Sequence, residues 1–250
     1  MMENKLIQWP RAKYWTKAFN PVVGCEKISE GCQNCYAERV TAKFGINGGC
    51  FAPQIMPNAK PPKSGVVFVG NMTDIFGKWN DFFSIVDMLK KLSPKATNLI
   101  LTKRAYRLDT IEAMSEIIPR LNDSCWFGVT SENQARADER IHHLLDANIN
   151  HRWLSLEPLL GPIDLSYSCF ADGCNHGTEL HIDWVVVGAE SGPNRRECKI
   201  EWVEHIVEQC QSAGVPVFVK QLHINGKLVD DINKFPKHLR IRQIPWSVTK

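Results

Sequence analysis

The chain has 250 residues, with 30 Lys and Arg against 27 Asp and Glu and a formal net charge of +3. A balance this even, without a long basic run, leaves no electrostatic footprint for nucleic acid, although nucleic acid stays open as a substrate. No apolar run approaches the roughly 20 residues that span a bilayer, and the start, MMENKLIQWPRAKYW, has no apolar stretch of signal-peptide type. The expectation is a cytoplasmic protein with no membrane partner. Nine cysteines is a high count for a reducing compartment, where clustered cysteines are more often metal ligands than disulfides.

The first predicted element is a strand near FNPVVG, directly before Cys25. A loop follows with Cys25, Cys32 and Cys35, and a helical pattern opens at Tyr36. Residues 45–64 are rich in Gly and Pro and read as a long loop. Then a rhythm repeats. VVFVG (Val66 to Gly70) leads into DFFSIVDMLKKL, NLILT (Asn98 to Thr102) into RLDTIEAMSEII, and CWFGV (Cys125 to Val129) into ARADERIHHLLDA. RWLSLEPLL (Arg152 to Leu160) precedes an insertion at residues 166–183, and WVVVG (Trp184 to Gly188) leads into EWVEHIVEQCQSAG. VPVFVK (Val215 to Lys220) closes the series, and the polar tail over residues 222–250 reads as an irregular cap.

Near-continuous apolar runs suit strands buried on both faces of a parallel sheet. Alternation with helices makes βαβ units, about seven by this count. The pattern predicts one α/β domain over residues 1–250, a full or partial (β/α) TIM-type barrel. A doubly wound open sheet is the alternative, but no Gly-rich dinucleotide fingerprint follows any strand.

Barrel active sites lie at the C-terminal ends of the strands, and the polar residues gather there. Asn71 and Asp74 follow one strand, and Lys103 and Arg104 another. Ser131 and Glu132, then Glu157, then Gly188, Glu190, Ser191 and Gly192 follow the next three. Asp74 and Ser131 also suit helix capping. Glu157 sits inside an apolar run, where a carboxylate needs a partner, and Lys103 or Arg104 is the predicted one. Lys103, Arg104 and Glu157 are the candidate catalytic residues. Lys103, Arg104, Arg195 and Arg196 hint at an anionic substrate, although the Arg195–Arg196 pair also reads as a solvated turn. Trp153, Trp184, Cys125 and Cys210 read as core.

Three thiolates on one loop hold three corners of a metal site and leave a fourth open. A closed zinc site needs another ligand, for which Cys50 is nearest. Cys169, Cys174, His176 and His181 form a separate candidate zinc set in the insertion. A 4Fe-4S cluster fits the trio better, with one iron left for S-adenosylmethionine to chelate.

The spacing C-x6-C-x2-C followed by Tyr36 resembles the radical S-adenosylmethionine motif, whose usual form is C-x3-C-x2-C with an aromatic beside the third cysteine. More closely, NPVVGCEKISEGCQNCYAER, NMTDIF, LTKR, GVTSENQARADERI, LSLEPLLGPIDL, WVVVGAESGPNRR and VPVFVKQ together resemble a phage-encoded family of three-cysteine proteins of unknown function. The resemblance implies that Cys25, Cys32 and Cys35 ligate a cluster fed by an external one-electron donor. It implies that Tyr36 packs near the cofactor's adenine, and that Asn71 and Asp74 stand where the larger superfamily holds the methionine amine. Ser131 and Glu132 would meet the ribose or carboxylate, Lys103 and Arg104 an anionic group, and Gly188 with Glu190 an adenine-facing turn. The expected activity is radical chemistry on a small molecule or nucleobase. The alternatives are a zinc-stabilised, non-catalytic binding module and a metal-free hydrolase using Glu157 and Glu190.

Overall fold

The computed structural model describes residues 7–9, 11–166 and 181–246. Seven strands form one parallel sheet: β1 (Lys17–Phe19), β2 (Gly65–Val69), β3 (Ala96–Thr102), β4 (Cys125–Thr130), β5 (Arg152–Leu156), β6 (Trp184–Val187) and β7 (Val217–Val219). Each strand lies beside its predecessor in the chain. A parallel sheet that always adds its next strand on the same side, through crossovers of one hand, curls toward a barrel. Here it stops at seven strands as a half-barrel, which settles the fold as the partial form.

Helices cover the outer face: α1 (Tyr36–Phe44), α2 (Phe82–Lys90), α3 (Ile111–Ile117), α4 (Gln134–Asp146) and α5 (Ile200–Ser212). Strand side chains alternate between faces. In β4, Cys125, Phe127 and Val129 join the outer core with α4 residues Ile141 and Leu144, while Trp126 points into the lumen. Cys210 is buried in the outer core as well. The lumen side is aromatic, with Tyr14, Phe68, Trp126, Trp153, Trp184 and Phe218 in one cluster. The Trp153 indole donates to the carbonyls of Ile100 at 3.2 Å and Trp126 at 3.1 Å. It lies flat over its register partner Gly128, where a Cβ would come within 2.6 Å of the ring. A short antiparallel ladder, Ile7–Gln8 with Gln243–Ile244, brings Trp9 and Trp246 onto the same cluster. The two chain ends therefore plug the lumen at the N-terminal ends of the strands.

Three expectations change. The first barrel strand ends at Phe19, and Val22–Val23 instead pairs with Gln54–Ile55, which anchors the middle of the 45–64 loop beside the cysteines. The tail is ordered rather than irregular. It carries a hairpin, Leu222–Ile224 with Lys227–Val229, and buried Arg242 donates to the carbonyls of Val219, Lys220 and Asp230. Helix capping falls to Asp81, which accepts from the Ser84 amide, and to Asn133, which accepts from the Arg136 amide, so Asp74 and Ser131 do other work. Among the described residues no helix is long and apolar enough to cross a membrane.

Candidate functional site

The β1–α1 connection carries the cysteines over the C-terminal mouth of the half-barrel. Cys25, Cys32 and Cys35 are free and partly exposed. All three line a cavity of about 390 Å³ that runs from the cysteine loop into the lumen, within the size range of small-molecule sites. Tyr36, Asn71, Asp74, Lys103, Arg104, Glu157 and Glu190 line it too. Thr130 and Lys220, polar residues at the ends of their strands, line it as well, and residues that sequence reasoning did not propose complete it, including Tyr14, Trp15, Phe68 and Ser155. A larger hollow of about 860 Å³ beside Cys198, Lys199 and His223 shares none of these residues and is somewhat more open.

The loop is clipped to distant strands. Ser29 donates to Glu132 at 2.7 Å, and Asn34 donates to Glu190 at 3.0 Å and to the Asn194 carbonyl at 2.7 Å. Glu30 takes the Arg136 guanidinium at 3.2 Å and a hydrogen bond from Asn133. Gly31 presses directly on the Glu132 carboxylate, leaving no room for a Cβ. Glu132 is fully buried between Arg140 at 2.9 Å and Lys103 at 3.2 Å. Burial opposes its charge, but the two cations prevail and hold the carboxyl below its ordinary value. Glu190 is gripped by Arg196 at 2.5 Å, which outweighs its burial with the same result. Arg196 is thus part of the mouth rather than a solvated turn.

The strand-end ion pairs differ from the expected set. Glu157 pairs with Lys220 at 2.5 Å and accepts from Gln221 at 2.9 Å, so neither Lys103 nor Arg104 is its partner. Arg104 pairs with Asp74 at 3.0 Å. Asp74 also accepts from the Thr102 hydroxyl and from the amides of Phe76 and Lys103. Both groups are buried behind Cys25. Burial, reinforced by Asp74 and opposed by Arg104, pushes the Cys25 thiol up to about 12. A metal taking this sulfur must displace its proton. The Tyr36 hydroxyl donates to the Asn71 carbonyl, joining the start of α1 to the β2 strand end.

Three predicted residues stay outside the cavity. Ser131 is buried, with its hydroxyl on the Arg136 carbonyl at 3.4 Å. Glu132 buttresses the cysteine loop from behind. Gly188 packs against Lys220 and Gln221 of the neighbouring strand end. Cys169, Cys174 and His176 lie outside the described residues, and His181 meets Asp183 at 2.9 Å. Among the described residues no group of three or more His, Cys, Asp or Glu is arranged to hold a metal ion.

A family model described as a protein of unknown function, DUF5131, matches residues 10–237. The match spans most of the chain, which belongs to that family. No curated protein and no solved structure matches it.

Proposed function

We propose that this DUF5131 member is an iron–sulfur protein of the radical S-adenosylmethionine type, acting on a small molecule or nucleobase. One observation carries the reading: three free thiols from a single loop share one cavity with the polar residues at the strand ends. The donor chemistry fits a 4Fe-4S cluster, whose usual ligands are thiolates. Ligands of a single ion converge on one point, whereas a four-iron cube spreads its thiolates over separate corners. Cys25, Cys32 and Cys35 would hold the cluster. When bound and reduced by an external one-electron donor, the group would supply reductive cleavage of S-adenosylmethionine and, through it, hydrogen-atom abstraction from the substrate.

This chain's own residues would do the rest. Ser29, Glu30, Gly31 and Asn34 set the height of the loop through Glu132, Arg136 and Glu190. Tyr36 and Asn71 form the wall beside the cysteines. The charged residues at the mouth keep their partners. Plugged at the opposite end by tryptophans, the lumen restricts water around a reactive species.

Anaerobic purification with iron and sulfide analysis tests the reading. About four irons per chain are expected in the wild type, with reductive release of 5′-deoxyadenosine. Cys32→Ala should lose both. Iron that survives Cys32→Ala unchanged, or stoichiometric zinc in place of iron, would overturn it.

A further inference from the structure

We infer that the inward hydroxyls of Thr130 and Ser155 form a binding subsite for an uncharged, planar, hydrogen-bonding substrate of the nucleoside class. This rests on the enzyme reading above and gives its substrate a seat and a chemical class. Thr130 and Ser155 face each other as register partners on β4 and β5. Both are 2% exposed, both line the cavity, and neither hydroxyl has a hydrogen-bond partner among the described residues. Both hydroxyls are therefore free to serve whatever enters the cavity, water or ligand. Two further cavity residues go beyond this: Asn71 Oδ1 and Trp15 Nε1 are fully buried and without partners. The set offers donors and acceptors together, the pattern that the polar edge of a base and its sugar would meet.

Charge decides against an anion. Every charged side chain of the lining is already paired: Glu26 with Lys78, Asp74 with Arg104, Lys103 with Glu132, Glu157 with Lys220 and Glu190 with Arg196. A phosphate would have to break one of these pairs, and a neutral ligand breaks none. This departs from the anionic substrate suggested by Lys103 and Arg104 in the sequence. The walls next to the hydroxyls are aromatic. Trp15 meets Tyr14 and Phe68 edge to face with centroids 4.8 and 5.1 Å apart, and all three line the same cavity, which favours a flat, weakly polar ring.

Equilibrium binding of adenosine, guanosine, cytidine and uridine, and of their 5′-monophosphates, to the anaerobically prepared full chain tests the assignment. At least one nucleoside should bind, with its monophosphate no tighter. Thr130→Val and Ser155→Ala should each weaken binding roughly three- to tenfold, the range for one lost hydrogen bond. Thr130→Ser keeps the hydroxyl and should bind within about twofold of wild type, which separates lost contact from damaged folding. The assignment is overturned if no nucleoside binds or if a monophosphate binds tighter. It is equally overturned if the Thr130→Val/Ser155→Ala double variant binds like wild type, or if S-adenosylmethionine competes for the same hydroxyls. Iron analysis of the same samples keeps the two claims apart. Iron-loaded protein that binds no nucleoside sinks the subsite alone, and iron-free protein that binds one sinks the cluster alone.

Discussion

Toward the N-terminal ends of its strands the half-barrel is filled, and toward the C-terminal ends it is open, although the same inward faces run through both regions. In the filled part, Trp153 and Trp184 are fully buried, and their indole N–H groups donate to backbone carbonyls. In the open part, Thr130 and Ser155, further along the strands that carry Trp126 and Trp153, keep hydroxyls without partners. The contrast shows that position along a strand, rather than the face of the sheet, separates core from site.

The strongest way to break this comparison is to swap the treatment of the two ends. Trp153→Ala empties the floor and should cost about 3–5 kcal/mol in urea unfolding. Thr130→Val removes a hydroxyl that makes no hydrogen bond and should cost under about 1 kcal/mol. Equal losses would show that the mouth is core as well. Next in size is Glu132→Gln, which leaves Arg140 buried with one carboxylate fewer and should cost about 3 kcal/mol. Because Ser29 and Gly31 rest on that carboxylate, the cluster proposed above should be held less well, and iron content should fall with stability. Stability lost with iron fully retained would mean that the loop holds its shape unaided.

The smallest effect is a pH dependence at the rim. Its own loop amide, then Arg136 and Asn133, hold the Glu30 carboxyl down at about 2 against an ordinary 4.5. A folded-state value below the unfolded one gives stability that is complete above about 4.5 and is lost as pH falls toward 2. Wild type should therefore lose more stability than Glu30→Gln across that window in acid titrations monitored by circular dichroism. Superimposable curves would show that Glu30 does not couple the loop to α4.

Much of this was legible in the chain. Apolar runs located the strands of the sheet, and the punctuation after each one located the mouth. Three closely spaced cysteines before a helix marked the loop over it. The ion pairs were not legible, because they join positions far apart in sequence: Glu157 lies 63 residues from Lys220, and Asn34 lies 156 from Glu190. Such pairs are set by the curl of the sheet, which no local pattern encodes. The two hydroxyls were within reach. Counting in twos from Trp126 and Trp153 brings Thr130 and Ser155 to the lumen face, but Ser155 lies inside an apolar run, one residue before the strand ends.

The clips on the cysteine loop also fix when the thiols can be brought into place. Ser29 finds its acceptor 103 residues downstream, and Asn34 waits longer still. At ribosomal speeds the first interval lasts roughly 5 to 20 seconds. Through that interval only nearer partners hold the loop, such as the Phe51 carbonyl on the Cys25 amide and the Asn71 carbonyl on the Tyr36 hydroxyl. The clips from Ser29 and Asn34 are therefore both closed only toward the end of synthesis, after the sixth strand has docked.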